Sequence, residues 1–141
     1  MKHPLVAVKS PFSVSETALQ LQKLLTDRGI KIFATVDHSA AASESGLDLP
    51  GETVVIFGDP KVGTFLMQEC PPLGIELPLK MLIWQDTESQ KTLIGFREPL
   101  EYLEQYGVVK HKEILEKISK LMHTLLKEVT CQKSWSGNGK S

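Results

Sequence analysis

Cysteine is scarce: Cys70 and Cys131 are the only two in 141 residues. That excludes a disulfide framework and a four-thiolate zinc site built within one chain. Long apolar runs are missing, none approaching the roughly 20 residues that a membrane-crossing helix needs. Met1 to Ser10 has neither the long apolar stretch nor the small-residue cleavage pattern of an export signal, so the expectation is a cytoplasmic protein. Charge of one sign is missing too. With 16 Lys and Arg against 17 Asp and Glu the net charge is -1, which excludes a supercharged nucleic-acid binder. What remains is ordinary globular composition, 41% hydrophobic and 23% charged, in a length that suits one domain. The expected organisation is a single domain over 1–130 and a polar tail over 131–141, with Trp135 as the residue that anchors the tail to its own domain or to a neighbouring chain.

Local patterns supply the elements. Leu5 to Val8 reads as a strand ended by Pro11, and Ser13 with Glu16 three residues on is a capping box that starts a helix at Val14. Val14, Ala18, Leu21, Leu24 and Leu25 form its apolar stripe, and Gly29 sits where a left-handed C-terminal residue is wanted. Lys31 to Val36 is a β-branched and aromatic strand ending at Asp37-His38, followed by a short alanine-rich helix over Ser39 to Ser45 that Asp37 or Ser39 caps. Thr53 to Phe57 is a third strand. After it, Gly58-Asp59-Pro60 reads as turn, N-cap and first helical proline for a helix running to about Glu69. Pro71, Pro72, Gly74 and Pro78 predict an irregular connection, and Met81 to Trp84 with Thr92 to Phe96 predict an antiparallel hairpin. Pro99 to Tyr106 reads as one or two helical turns. The longest helix follows, with Ile114, Leu115, Ile118, Leu121, Met122, Leu125, Leu126 and Val129 on one face and Glu113/Lys117 and Glu116/Lys120 as spaced ion pairs on the other. The sum is a two-layer α+β fold: a curved, mainly antiparallel sheet in the order β-α-β-β-β-β-α, with short helical inserts.

These residues also form a recognisable series. Thr17 to Gly29, Phe33 to His38, Leu49-Pro50, Phe57-Gly58-Asp59-Pro60-Lys61-Val62-Gly63-Thr64, Leu66-Met67 and Leu77 to Lys80, in this order and spacing, resemble the bacterial and archaeal family called domain of unknown function 302. The resemblance runs from about Ser13 to Tyr106 and leaves the C-terminal helix and tail unmatched. It implies a fold similar to the TATA-binding-protein-like class, without implying DNA binding, because fold is not function.

Candidate chemistry gathers at two places. In Asp37-His38 a carboxylate could orient an imidazole for general base work, though neighbours on one strand point to opposite faces, and Asp37 serves equally as a helix cap. The loop Gly58 to Thr64 joins a strand to a helix, where open backbone N–H groups and Lys61 could receive a phosphate or carboxylate. It is not a Walker loop, since no Gly-Lys-Thr triplet ends it, and Asp59 competes with an anion there. Gly63, early in the helix, is accounted for by close backbone packing at a cost of about 1 kcal/mol against alanine. His3, His38, His111, His123, Cys70, Asp37 and Asp59 show no metal-ligand spacing, and Cys70 reads as a buried, inert thiol. Seven lysines against three glutamates from Gly107 onward read as a solvated helix face.

The resulting expectation is a non-catalytic module that binds a small molecule or ion and dimerises. Its site comprises Asp37, His38, Asp59, Lys61, Gly63 and Thr64, with no metal or cofactor. Its partners are a second copy, through the broad stripe of the last helix, and a small ligand, with neither nucleic acid nor membrane. Two alternatives stand beside it: a hydrolase-like or lyase-like enzyme with His38 as base and Asp37 as its orienter, and a purely structural dimerisation module.

Overall fold

Ser13 does what its position predicts. In the computed structural model, which describes residues 4–131, its hydroxyl accepts the Glu16 N–H at 3.1 Å and opens α1 (Val14–Asp27). The other half of the capping box is diverted, because the Glu16 carboxylate accepts from the Gln20 amide at 3.1 Å. At the far end Gly29 takes φ 72°, and Ile30 N–H returns to the Leu25 carbonyl at 2.9 Å, so the chain turns straight into a strand. Trp135, His3 and the tail beyond residue 131 lie outside the described residues.

Five strands form one sheet: β1 (Val6–Ser10), β2 (Lys31–Asp37), β3 (Glu52–Gly58), β4 (Leu79–Gln85) and β5 (Thr92–Phe96). Their order is β1-β5-β4-β3-β2, and every neighbouring pair is antiparallel, as the expected α+β class requires. Several strands extend past their apolar runs because ladder partners, not hydrophobicity, define the ends; Ser10 and Gln85 both pair with Thr92. Helices α2 (His38–Glu44) and α3 (Pro60–Glu69) lie between the middle strands, and α4 (Glu101–Gln105) precedes the long α5 (Lys112–Thr130). The proline-rich connection departs from expectation. Pro71–Glu76 forms a 3-10 helix whose first positions suit proline, and it buries Leu73.

Period-two alternation divides the sheet. Val55, Phe57, Met81, Ile83, Ile94 and Phe96 face the helical layer and are buried with Leu21 and Leu25 of α1 and Leu115, Met122 and Leu125 of α5. Here α1 lies over β2, β3 and β4, and α5 over β1 and β5. The stripe expected to dimerise through α5 is therefore part of the domain's own core, with Met122 1% exposed. The ion pairs expected at Glu113/Lys117 and Glu116/Lys120 are not closed; among the described residues the helix-spaced pair that closes is Lys23–Asp27, at 3.5 Å.

Gly95 fixes how closely β1 can join. A Cβ there would stand 2.8 Å from the Val6 carbonyl oxygen and 3.0 Å from the Ala7 Cβ. Since a β-strand backbone cannot yield the way a flexible side chain does, Gly95→Ala is expected to lower stability by about 1–3 kcal/mol through overpacking. An unchanged denaturation midpoint would contradict this.

Candidate functional site

Register separates the two groups of suspect residues. Asp37 pairs with Thr53 at one end of β3, whereas Lys31 pairs with Gly58 at the other. Six residues at about 3.3 Å each put the Asp37 and Asp59 ends of the sheet about 20 Å apart, so the single pocket uniting Asp37, His38, Asp59, Lys61 and Thr64 does not form within one chain.

At the first end Asp37 is a cap. Its carboxylate accepts from the Ala40 N–H at 2.9 Å and the Ser39 hydroxyl at 2.7 Å, and these hydrogen bonds, Ala40 first, hold its pKa below the usual carboxylate value. His38 is the exposed first residue of α2 and donates no hydrogen bond to Asp37, which leaves the expected base without its orienter. A polar cleft of about 450 Å³ lies beside Asp37, lined by Ser13, Ser39, Thr53, Gln85 and Thr92 among others, and His38 is not part of it.

The second end holds the larger feature. Asp59 caps α3 by accepting the Lys61 N–H at 2.9 Å, and Thr64 closes its hydroxyl on the Pro60 carbonyl at 2.7 Å, both local roles. Behind this helix start a cavity of about 700 Å³ opens between α3, the ends of β2 and β3, and the first half of α5. Its walls are mainly apolar: Phe33, Phe57, Val62, Leu77, Ile118 and Leu121, with Gly63 on the α3 side and Asp59, Thr64 and Lys117 as polar groups. Lys61 is not among its lining residues. The structure thus unites Asp59, Gly63 and Thr64 of the expected set, and leaves out Asp37, His38 and Lys61.

Gly63 is the informative residue. A Cβ at this position would meet Leu77 Cδ1 at 3.5 Å and Met67 Cε at 3.9 Å, ordinary van der Waals distances, so backbone crowding does not demand glycine here. A helix-interior glycine costs about 1 kcal/mol against alanine, and what its missing side chain leaves open is the cavity.

Glu69, at the end of α3, ties the two cavity walls together. Its carboxylate accepts three successive backbone N–H groups, Val109 at 2.7 Å, Lys110 at 2.8 Å and His111 at 2.8 Å, and meets His111 Nδ1 at 3.0 Å. The chain entering α5 is thereby moored to α3, with Phe65 stacked on the His111 ring at 5.9 Å. Cys70, half-buried and not buried as expected, adds to the mooring, its thiol donating to the Tyr106 carbonyl at 3.3 Å. Two further carboxylates are clamps of the same kind. Glu98 accepts from Ser119 at 2.6 Å and meets His123 Nε2 at 2.6 Å; with the carboxylate between serine and histidine this is not a nucleophile-base pair. Glu76 accepts from the Tyr106 hydroxyl at 2.6 Å with Arg97 at 3.8 Å, and burial followed by this carboxylate pushes the Tyr102 phenol up to about 12. Sequence reasoning missed all three because their partners lie 21 to 42 residues away and are partly backbone amides. Among the described residues no group of three or more His, Cys, Asp and Glu could hold a metal ion.

An antiparallel five-stranded sheet backed by two long helices, with a strand-to-helix loop opening on a cavity, defines a class as well as a site. The chain belongs to the domain of unknown function DUF302 family, which matches residues 6–125 and so extends past Tyr106 well into α5. The crystal structure of an uncharacterized conserved DUF302 protein from Bacillus stearothermophilus superposes with a TM-score of 0.78 at 21% identity, covering 92% of this chain and 100% of that one. Two curated relatives share 43% identity over 95 residues: the fluoride-specific ion channel FluC 1 of Brucella suis biovar 1, covering 67% of this chain and 37% of that protein, and FluC 1 of Brucella abortus biovar 1, covering 67% and 35%. The chain therefore spans about a third of the length of these relatives. No helix among the described residues is long and apolar enough to cross a membrane.

The Glu69 mooring carries a pH signature. Hydrogen bonds from Val109, Lys110 and His111 lower its pKa from 4.5 to about 2. The native state thus binds this proton more weakly than the unfolded chain, so its stabilisation is complete above pH 4.5 and is lost as pH falls toward 2. Glu69→Gln is expected to lower the denaturation midpoint at neutral pH and to flatten the decline between pH 4.5 and 2; identical acid limbs in both proteins would contradict the assignment.

Proposed function

We propose that this chain is a non-catalytic binding module that takes one small, largely apolar molecule with an anionic end into the cavity between α3 and α5. Gly63 carries this reading: a helix-weakening residue that crowding does not require stands on the wall of an apolar space of about 700 Å³, a size within the range of small-molecule sites. Walls of Phe57, Leu77, Ile118 and Leu121 suit hydrocarbon or aromatic rings. Lys117 supplies a cation at the rim, and Asp59, whose carboxylate sits at the start of α3, sets the orientation by repelling the anionic end. An enzyme using His38 receives no support, since Asp37 is occupied as a cap and His38 lies outside both spaces.

The curated relatives fit a module of this kind. In proteins named as fluoride-specific ion channels the shared segment accounts for about a third of the length. Within this reading it serves there as an accessory binding domain, and the pore belongs to the remainder.

Titration with 8-anilinonaphthalene-1-sulfonate, an apolar ring system bearing one sulfonate, tests the site. Saturable binding of one probe per chain is expected. Gly63→Leu, which fills the space while favouring the helix, is expected to weaken binding at least about tenfold with the fold intact, and Lys117→Ala about two- to fivefold, the scale of an exposed ion pair. Undiminished binding to folded Gly63→Leu would overturn the reading.

A further inference from the structure

The same alternation that buries one face of the sheet leaves the side chains of the other outside the buried core. Val54, Ile56, Leu82, Trp84 and Leu93 point away from α1 and α5, and each is half-buried. We propose that this face is the interface of a homodimer, in which two copies stack sheet on sheet about a twofold axis perpendicular to the strands. The inference is independent of the cavity, which lies on the helical side.

Three observations select a second copy as the occupant. The first is area. Five strands at about 4.8 Å and six residues at about 3.3 Å give a face of about 24 by 20 Å, on the order of 1,000 Å² for a pair, the size at which specific interfaces begin. The second is charge. Glu52 pairs with Trp84 at one end of the face and Lys80 with Ile56 at the other. A twofold axis between them, crossing the strands near Val54 and Leu82, lays Lys80 of each copy over the partner's Trp84, next to the partner's Glu52. Both contacts are favourable, and symmetry makes each of them twice. The third is the sheet's edge. A bulge between Ile32 and Ala34 interrupts the β2 ladder, and Lys31 lies 4.8 Å from the Phe33 ring centre, so that edge is poorly shaped for strand-to-strand extension. Strand-to-strand association through β2 is thereby disfavoured.

Sedimentation velocity on the full chain from about 1 to about 100 µM tests the proposal. A dimer is expected for the natural sequence, and a monomer with unchanged circular dichroism for Leu82→Glu. Because a charge at Leu82 could also disturb folding, the charged pair at the ends of the face provides a second test: Lys80→Glu and Glu52→Lys are each expected to weaken the dimer about tenfold, and the double exchange to restore it to within about threefold of the natural sequence. A monomer at every concentration, a dimer that survives in folded Leu82→Glu, or a double exchange no tighter than the single variants would each overturn it.

Discussion

One-sided burial of the sheet governs this molecule. Two long helices are enough to cover one face of five strands, and the residues that alternate inward from β3, β4 and β5, from Val55 to Phe96, meet Leu21, Leu25, Met122 and Leu125 there without exposure. Every fully buried large side chain on these strands contributes roughly 1.5–3 kcal/mol relative to an exposed one, so the pairing of sheet and helices outweighs any local hydrogen bond. Two consequences follow from the shortage of cover. Where α5 begins, the helical layer does not close against α3 and leaves the cavity. Beneath, Val54, Ile56, Leu82, Trp84 and Leu93 of the second face stay outside the buried core.

The cavity walls are tied to each other at one end. Glu69 binds the three consecutive amides of Val109, Lys110 and His111 just before α5, which moors that helix to α3, while the 3-10 helix after Cys70 brings Leu73 into the core and Leu77 to the cavity wall. A space held open by anchored backbone is suited to receive a ligand without first rearranging. Carboxylates elsewhere act likewise: Glu76 and Glu98 fasten segments distant in sequence.

The elements were largely legible in the sequence because their signals are local. Ser13, Asp37 and Asp59 announce three helix starts, and Gly29 one helix end, each within a few residues of the group it serves. The site was legible only in part. Asp59, Gly63 and Thr64 belong to one loop and stayed together, but joining them to Asp37 and His38 required knowing the β2–β3 register, which places the two groups at opposite ends. Leu77, Leu121 and Lys117 reach the cavity through tertiary packing, and no spacing within the chain announces that. The stripe of α5 misled for the same reason: it is equally suited to a partner helix or to the chain's own sheet, and the sheet takes it.

Native mass spectrometry of the protein as purified from cells tests directly whether the cavity between α3 and α5 holds a small molecule. The expected result is a mass excess per chain that survives gentle ionisation, disappears on denaturation and is absent from folded Gly63→Leu. An excess that Gly63→Leu retains in full, or bare polypeptide from the natural sequence even after incubation with an apolar anion, would contradict it.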